Sequence, residues 1–548
     1  MKISGNQIVQ RALEQQSADT LYYLMGGPTL EIASACVASK KMRMIDVRHE
    51  QAGAMMAIAH SRILGEPAFC MAASGPGVTN LVTGLAHALV DCAPVVALGG
   101  SSPVNAYNTG YFQEIDQVAI MKPVTKWAER VYETRRIPEY IDMAVNHAIS
   151  GKPGPVYLDL PGDVLYAEVE EDEVVWVAPR AKRKIARPAM VEDDVRHVMA
   201  LLRESSRPII LTGSGIIWSK ASNALTAFVE KGGIPYLPTP QGRGVLPDDH
   251  KLAYAAARNV AMREADLVIV AGTRLNYTLN FGKAPRFSDT AKFIRIDIDP
   301  VEIGTSARCD VGVVADVGIA LKQLSEAMPE EMEKQFTAWR DHLDGSERER
   351  SSKNDALLTS TSVPIHPLRL CKEVRDFIDR DAILVVDGAE ILNYARQSIP
   401  TFLPAHRLNS GVFGTMGVGL PFALGAKVAA PERQVVVLHG DGSFGINGME
   451  LDTAIRHNIP VLVVISLNGG WSADPTRSKP GRELGYTRFD RLAESLGCHG
   501  EWVEQPDDIR PALERAYREV LAGRSALVNV VTDWSARAAT AKFTTYMT

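Results

Sequence analysis

One stretch, residues 440–471, constrains this chain more than any other. It begins with Gly440-Asp441-Gly442 directly after the apolar run 435–438, and Asn468 follows a second apolar run, 461–467. Both runs are typical of buried parallel strands, and a helix is predicted between them at 447–456. A carboxylate and an amide oxygen at the ends of such strands suit an octahedral Mg²⁺ that carries a diphosphate. An ordinary strand–turn–helix–strand unit is the alternative.

Length and charge exclude several classes of protein. The chain has 548 residues, which is too long for a single core and favours about three domains. Its formal net charge of −6 excludes a nucleic-acid-binding surface as its main feature and gives no general attraction for anions. Any phosphate group must therefore be bound by a local site.

Cysteine usage and hydropathy bear on the compartment. The six cysteines are scattered, with no C-x-x-C pair and no zinc spacing, which is typical of reduced cytosolic thiols. The first residues lack the apolar core of a signal peptide, and no apolar run approaches the length of a membrane span. We therefore expect a cytoplasmic protein without membrane or nucleic-acid partners.

Strands alternate with helices along most of the chain, which predicts an α/β fold of three doubly wound parallel-sheet domains. The predicted divisions are a first domain at 1–170, a linker at 171–190, a middle domain at 191–330, a linker at 331–365, a third domain at 366–532 and a tail at 533–548. The first and third domains share one plan, which suggests duplication with a ligand held between the copies.

The 440–471 stretch resembles the thiamine diphosphate motif of the pyruvate oxidase and acetolactate synthase superfamily. The resemblance implies thiamine diphosphate and Mg²⁺, with Asp441, Asn468 and the carbonyl of Gly470 as metal ligands. The family motif ends in Asn-Asn, whereas this chain has Asn468-Gly469. The first Asn is the expected ligand, so the resemblance still implies a metal site.

Glu50 is the second candidate residue. It begins a segment of small residues, and Arg48-His49-Glu50 with the following Gln-Ala-Gly-Ala resembles the activating glutamate of the same superfamily. That glutamate hydrogen-bonds the pyrimidine N1′ of the cofactor. The alternative is an acid at a helix start that interacts only with the helix dipole.

Further segments match the superfamily in the right order. Gln113 resembles a residue that faces the thiazolium and the substrate oxygen, and Met416 one that wedges between the cofactor rings. The remaining residues that the resemblance implies at the cofactor are Ser74, Pro76, Asn80, Asp387, Gly388, Ala389, Asn393, Gly414, Thr415, Gly440, Gly442, Ser443, Phe444 and Trp471. In the superfamily the first domain binds the pyrimidine ring of the cofactor and the third domain binds its diphosphate. The two domains at one site come from different subunits, so the resemblance implies a homodimer or homotetramer.

The superfamily does not fix the substrate. Phe112-Gln113-Glu114 and the segment 297–304 resemble acetolactate synthase, but its keto-acid segment Gln-Trp-Gln is absent after Asn468. The tail instead resembles the C-terminal lid of the oxalyl-CoA decarboxylase and 2-hydroxyacyl-CoA lyase branch. By that resemblance an acyl-CoA contacts basic and polar residues of the tail and third domain, namely Arg537, Lys542, Arg407 and Asn409.

The preferred hypothesis is cleavage of a 2-hydroxyacyl-CoA, such as 2-hydroxyisobutyryl-CoA, to formyl-CoA and an aldehyde or ketone. An acetolactate synthase-like carboligase or an oxalyl-CoA decarboxylase is the alternative. Glu483 is the candidate base, with a surface acid as the alternative. In the middle domain, residues that resemble an ADP or FAD site are Gly213, Arg274, Asp297 and Asp316. A non-catalytic acyl-CoA or nucleotide sensor is the hypothesis from another class, and the presence of Glu50 argues against it.

Overall fold

The computed structural model describes residues 1–178, 186–305, 308–471, 478 and 480–538. Three parallel β-sheets flanked by helices dominate these residues, which confirms the predicted α/β class. One sheet lies within each of the three predicted domains. The exact domain boundaries stay predictions.

The first sheet is six-stranded, with strand order β3-β2-β4-β5-β7-β6, and β1 pairs antiparallel with β8 beside it. Its elements are β1 (Lys2–Ser4), α1 (Gly5–Gln15), β2 (Thr20–Tyr23), α2 (Leu30–Ser39), β3 (Arg43–Asp46), α3 (Glu50–Leu64), β4 (Ala68–Ala72), α4 (Pro76–Val90), β5 (Val95–Ser101), α5 (Gln117–Met121), β6 (Trp127–Arg130), α6 (Ile137–Ile149), β7 (Val156–Pro161), α7 (Gly162–Tyr166) and β8 (Glu168–Glu170).

The middle sheet is five-stranded, with order β10-β9-β11-β12-β13. Its elements are α8 (Glu192–Glu204), β9 (Pro208–Thr212), α9 (Ser214–Trp218), α10 (Ser222–Gly232), β10 (Tyr236–Pro238), α11 (Arg258–Glu264), β11 (Leu267–Ala271), β12 (Lys292–Asp297), α12 (Pro300–Gly304), β13 (Val311–Val314) and α13 (Val317–Ala327). The predicted linker at 331–365 begins with helices, namely α14 (Met332–Gln335), α15 (Thr337–Ser351) and α16 (Asp355–Leu358).

The third sheet is six-stranded, with order β15-β14-β16-β17-β19-β18. Its elements are α17 (Pro367–Phe377), β14 (Ile383–Asp387), α18 (Glu390–Ser398), β15 (Arg407–Asn409), α19 (Gly419–Ala429), β16 (Val435–Gly440), α20 (Asp441–Asn447), α21 (Glu450–Arg456), β17 (Leu462–Leu467), α22 (Phe489–Ser495), β18 (His499–Val503), α23 (Ile509–Leu521) and β19 (Ala526–Val531).

The first and third sheets have the same topology. When each sheet's strands are numbered along the chain, both read 2-1-3-4-6-5. The strand order therefore reverses between β2 and β4 in the first sheet, and between β14 and β16 in the third. Ligands of open α/β sheets bind at such switch points, beyond the carboxyl ends of the strands. The fold thus offers two equivalent crevices, as the shared sequence plan predicts.

Helices α3 and α19 join the two outer sheets. A Cβ placed on Gly425 in α19 would lie 2.2 Å from the carbonyl oxygen of Met56 in α3, so only glycine permits this approach. One hydrophobic cluster contains buried residues of both outer domains, including Met56 of α3, Tyr157 of β7, Phe422 of α19 and Val463 of β17. Close packing in this shared cluster fixes the positions of the two crevices relative to each other.

Two further observations concern the whole molecule. All six cysteines are free thiols, and five of them are buried. In the described part of the chain, no helix is both long enough and apolar enough to cross a membrane.

Candidate functional site

Asp441 lies at the third-sheet crevice, directly after β16. The structure begins α20 at Asp441 and α21 at Glu450, where the sequence predicted a loop followed by one helix at 447–456. Asp441 is 4% exposed, and its Oδ2 has no hydrogen-bond partner within the described structure. Burial raises the pKa of Asp441 to about 6, opposed by the backbone amides of Gly442, Gly469 and Gly470. A buried carboxylate oxygen without a partner is suited to a cation.

The segment 468–471 meets Asp441 from the neighbouring strand β17. Asn468 Oδ1 accepts a hydrogen bond from the Gly470 amide at 3.1 Å. A Cβ on Gly442 would lie 2.7 Å from the indole ring of Trp471, so this ring packs directly on the first turn of α20. The two ends of the 440–471 stretch therefore come together, as the parallel-strand interpretation requires.

A cluster of buried polar side chains lies beside this crevice, at the ends of β14 and β16. Asp387, at the end of β14, accepts a hydrogen bond from the Gly419 amide at 2.9 Å, and burial raises the pKa of Asp387 to about 6. His439 Nδ1 lies 3.0 Å from Ser443 Oγ, and burial lowers the pKa of His439 to about 3. The Ser443 hydroxyl is thus hydrogen-bonded to a buried side chain. Its backbone amide lies in the first turn of α20, where amides have no partner within the helix.

The predicted cofactor residues that follow β14 and β15 open onto a large cleft. Gly388, Ala389, Asn393, Gly414 and Met416 all line it. The cleft has a volume of about 2320 Å³, and its lining also includes residues of the middle domain and the end of α4. The third-sheet crevice is therefore continuous with the space between the domains.

Glu50 begins α3, as predicted, and is 7% exposed. Its Oε2 accepts a hydrogen bond from Asn80 Nδ2 at 2.9 Å. Just before it, the amides of Arg48 and His49 both donate to the buried carboxylate of Glu450, each at 3.1 Å. Glu450 belongs to the third domain, so that domain fixes the turn that presents Glu50.

The first-sheet crevice brings together the turn at 74–76 and the loop that carries Gln113. Ser74 Oγ donates to Gln113 Oε1 at 2.7 Å. Gly75 has φ +58°, and a Cβ there would lie 2.6 Å from the carbonyl oxygen of Gln113. Pro76 then starts α4 and is exposed. The predicted pyrimidine-side residues Glu50, Ser74, Asn80 and Gln113 therefore share one end of the first sheet.

Several supporting residues are absent from the sequence prediction. Gln117 is 1% exposed and joins the Gly75 amide to Asp159 of β7, at 2.6 and 2.7 Å. Glu450 and His439 are also buried and polar. The available sequence signal for such residues is a polar side chain among apolar neighbours. The hydrogen-bond partners described above lie on other segments of the chain, so the local sequence alone does not identify their role.

Glu483 lies next to the segment 468–471. It forms an isolated antiparallel bridge with Gly470, and the Trp471 amide donates to the Arg482 carbonyl at 2.8 Å. The Glu483 side chain is exposed. Its position relative to a substrate stays a prediction, because residues 472–477 and 479 lie outside the described structure.

The predicted acyl-CoA residues are dispersed. Arg537 donates to the carbonyls of Trp534 and Ala536 at 2.6 and 2.8 Å, and the Ala538 amide donates to Glu390 at 3.0 Å. Lys542 lies outside the described residues. Arg407 and Asn409 are both buried on β15 and do not line the cleft, and both terminal nitrogens of Arg407 lack a hydrogen-bond partner in the described structure.

The middle-domain candidates surround a third switch point, between β9 and β11. A Cβ on Gly213 would lie 2.5 Å from Thr273 Oγ1, so the chain approaches closely there. Burial raises the pKa of Asp297 to about 6. Asp316 caps α13 and also accepts from Arg187 Nη1 at 3.1 Å. Arg274, Asp297 and Asp316 all line the cleft.

A group of four arginines, Arg243, Arg258, Arg286 and Arg396, lines the same cleft between the middle and third domains. We call it the arginine cluster. Burial, together with the like charges of its three neighbours, lowers the pKa of Arg258 to about 10. Asp248 pairs with Arg243. Guanidinium groups crowded along one wall of a cleft favour the binding of an anion.

The third-sheet crevice meets the needs of a diphosphate-bound Mg²⁺. Asp441 supplies a buried oxygen without a partner, Asn468 an amide oxygen, and Gly470 a carbonyl on the same segment. Among the described residues, no group of three or more His, Cys, Asp and Glu could hold a metal ion. A site with one carboxylate is consistent with that result, because Mg²⁺ keeps ligands from the diphosphate and from water.

Three family models match this chain. They are the N-terminal TPP binding domain of thiamine pyrophosphate enzymes over residues 3–120, their central domain over 195–324 and their C-terminal TPP binding domain over 391–530. The central model spans the whole middle sheet, whereas the other two span most strands of the first and third sheets and leave out β6, β7 and β14.

Relatives with different activities match at similar identity. The chain is 32% identical to the 2-hydroxyacyl-CoA lyase of Arabidopsis thaliana over 97% of its length and 96% of that protein. It is 34% identical to the acetolactate synthase large subunit of Mycobacterium tuberculosis over 96% of both chains. It is 33% identical to the oxalyl-CoA decarboxylase of Escherichia coli over 96% and 95% of the two chains. Identity alone therefore does not select the substrate.

Proposed function

The chain belongs to the thiamine pyrophosphate enzymes, and on that premise we propose that it cleaves the C1–C2 bond of a 2-hydroxyacyl-CoA. The products are formyl-CoA and an aldehyde or ketone. The proton of the 2-hydroxyl group leaves as the carbonyl product forms, and the formyl carbon gains one proton, so the reaction balances without an oxidant. A short branched acyl group, as in 2-hydroxyisobutyryl-CoA, is the substrate proposed from the sequence.

The arginine cluster is the observation that carries this proposal. A keto acid such as pyruvate has one carboxylate, whereas coenzyme A has a diphosphate and a 3′-phosphate. Arg243, Arg258 and Arg396 face a cleft that extends to Gly388 and Met416 of the candidate cofactor site. A chain with net charge −6 has no general attraction for anions, so a local cationic wall favours a phosphorylated substrate.

The proposed cofactor contacts divide between the two outer domains. Asp441, Asn468 and the Gly470 carbonyl would hold Mg²⁺, and the first turn of α20 would face the diphosphate. When bound, thiamine diphosphate supplies the carbanion-stabilising chemistry that carbon–carbon cleavage needs. Glu50 would donate a hydrogen bond to the pyrimidine ring, with Asn80 holding its other oxygen.

Two further residues would act on the substrate. Gln113 would hydrogen-bond the substrate oxygen, and its side chain is already oriented by Ser74. Glu483 would remove the proton of the 2-hydroxyl group, since its β-bridge to Gly470 keeps it beside the segment 468–471. Arg537 and Lys542 of the tail would contact the acyl-CoA, with Arg407 and Asn409 as further candidates. The nucleotide at Gly213, Arg274, Asp297 and Asp316 would be ADP or FAD in a structural role.

Self-association as a homodimer or homotetramer is part of the proposal. In one chain Asn80, which bonds Glu50, and His87, which contacts Thr415, are seven residues apart on α4. That spacing separates them by roughly 10 Å along the helix. Glu50 and the Thr415–Met416 segment of one chain therefore face different places along α4, and a second copy would complete each site.

A substrate panel tests the proposal. Purified protein with Mg²⁺ and thiamine diphosphate is incubated with 2-hydroxyacyl-CoAs, oxalyl-CoA and pyruvate, and formyl-CoA, aldehyde or ketone, CO₂ and acetolactate are measured. We expect formyl-CoA with an equimolar carbonyl product and no CO₂. CO₂ with formyl-CoA from oxalyl-CoA, or acetolactate from pyruvate, would replace the proposed reaction. Binding of an acyl-CoA without any turnover would instead identify a sensor.

A further inference from the structure

His87, near the C-terminal end of α4, has no role in the site described above. The side chain is completely buried, and each ring nitrogen has one partner. Nδ1 lies 3.0 Å from Thr415 Oγ1 in the third domain, and Nε2 lies 3.1 Å from Asp91 Oδ2. The ring also packs edge-on against Phe413 and Phe422. A buried histidine with two polar partners is held in one orientation.

Asp91 connects His87 to the middle domain and to the loop before Thr415. Its Oδ2 accepts from Gln241 Nε2 at 3.0 Å. A Cβ on Gly411 would lie 2.3 Å from Asp91 Oδ1, so the loop passes directly over the carboxylate. All three domains therefore meet at the His87–Asp91 pair.

The partners determine which nitrogen of His87 carries the proton. A carboxylate only accepts hydrogen bonds, so Nε2 donates to Asp91. In the neutral ring Nδ1 then accepts, and the Thr415 hydroxyl is its donor. Asp91 thus acts on Thr415 through the imidazole, in the way that a second residue orients a histidine ligand.

The segment that Thr415 belongs to has little conformational preference of its own. Gly414 and Gly417 have φ +72° and +84°, so the Thr415–Met416 pair is flanked by two glycines in left-handed conformations. Gly417 is held by Asn447, whose Nδ2 donates to its carbonyl at 2.8 Å. On the other side of Met416, the His87 side chain contacts Thr415.

We propose that His87 is a positioning residue for the cofactor. By accepting a hydrogen bond from Thr415, it fixes the segment from which Met416 enters the cleft, and Asp91 fixes its tautomer. The inference rests on the proposed function in one respect, namely that Met416 contacts thiamine diphosphate. The first domain would then serve two cofactor sites, one through Glu50, which Asn80 of α4 holds, and the other through His87 near the C-terminal end of α4.

A matched pair of substitutions separates positioning from packing. In His87→Asn, a side-chain amide atom occupies the place of Nδ1 and retains the contact to Thr415. In His87→Gln, the amide reaches the place of Nε2 and retains only the contact to Asp91. Both variants lose the ring packing against Phe413 and Phe422, so a merely structural residue would respond equally to the two changes.

The readouts are thiamine diphosphate affinity, by titration in the presence of Mg²⁺, and the near-ultraviolet circular dichroism induced in the bound cofactor. We expect His87→Gln to bind about 3- to 10-fold more weakly than His87→Asn and to alter the dichroic band. Equal affinities and equal bands for the two folded variants would overturn the proposal.

Thr415 provides the second test, because its half-buried side chain tolerates substitution better than the buried ring. Thr415→Val removes the hydroxyl with little change in shape, and Thr415→Ser restores it. We expect Thr415→Val to lose as much cofactor affinity as His87→Gln, and Thr415→Ser to bind the cofactor like the wild type. Combining Thr415→Val with His87→Gln should lower the affinity no further than either substitution alone. Additive losses would overturn the proposal. Failure of the wild type to bind thiamine diphosphate would instead reject the cofactor-site assignment.

Discussion

Asp441 and Glu483 lie on the same side of the third sheet, but their surroundings differ. Asp441 is 4% exposed, starts a helix and is surrounded by backbone amides. Glu483 is exposed and forms a single β-bridge with Gly470. The proposed cofactor side thus lies in the core, whereas the proposed substrate side lies on surface segments. Substitutions should therefore damage cofactor binding and substrate turnover separately.

The largest effect is expected for Asp441→Ala. Loss of this proposed metal ligand should weaken Mg²⁺-dependent thiamine diphosphate binding by about 100- to 1000-fold, because the other proposed ligand oxygens carry no charge. Calorimetric titration of the cofactor measures this loss. Asp507→Ala, on an exposed turn of the same domain, should bind like the wild type. If Asp441→Ala retained wild-type affinity, the metal site would lie elsewhere.

Glu50→Gln should lower turnover by about 100- to 1000-fold while changing cofactor affinity only a few fold, since the amide keeps the shape but not the proton-donating group. Steady-state rates and cofactor titration are compared in one preparation. Glu31→Gln is the matched control, because Glu31 is also an acid in the first turn of a helix. Equal effects at both positions would support the dipole interpretation of Glu50.

For Glu483→Ala we expect about 100-fold slower cleavage with unchanged cofactor affinity, the response of a base on the substrate side. Formyl-CoA release measures the rate. Glu494→Ala removes another partly exposed acid of the third domain and should leave the rate unchanged. Unchanged turnover in Glu483→Ala would assign the proton transfer to another group.

Arg258→Ala should raise KM for an acyl-CoA about 10-fold and leave kcat nearly constant, because the arginine contacts a distant phosphate rather than the reacting bond. The effect should shrink as salt is added. Arg196→Ala, on the exposed face of α8, is the control. A pure kcat effect would show that the arginine cluster does not bind the coenzyme A moiety.

The smallest effect concerns pH. The pKa of Asp387 is raised from 3.8 to about 6 by burial, so the folded protein binds a proton that the unfolded chain releases between these values. The stability from this group is complete below pH 3.8 and is lost as pH rises through about 6, at up to about 1.4 kcal/mol per pH unit.

Denaturant titrations of the protein without cofactor measure that slope. Asp441 contributes in the same direction. Asp387→Asn should therefore reduce the slope without abolishing it. A slope unchanged in the variant would show that Asp387 does not titrate in this range.

Much of the fold was predictable because its signals are local. Buried parallel strands produce continuous apolar runs, and the runs before Asp441 and Asn468 lie on neighbouring strands of the third sheet. The helix start at Glu50 is likewise present, with His49 as its cap. The helix break at 448–449 was missed, because an isolated glycine such as Gly448 is tolerated within a segment of helical spacing.

The sequence by itself determined the fold class, the family and the residues that could hold a metal and a diphosphate, because these depend on motifs within single strand–turn–helix units. Only the tertiary structure decided which distant groups meet. Glu450 caps the turn before Glu50, His87 contacts Thr415, and Arg258 and Arg396, from two domains, line the same cleft. Such contacts depend on how the domains pack, and the chain between the partners carries no periodic pattern that encodes them. For the same reason, Asp441 was predicted as a candidate from residues 440–471 alone, whereas the buried polar residues around it were not.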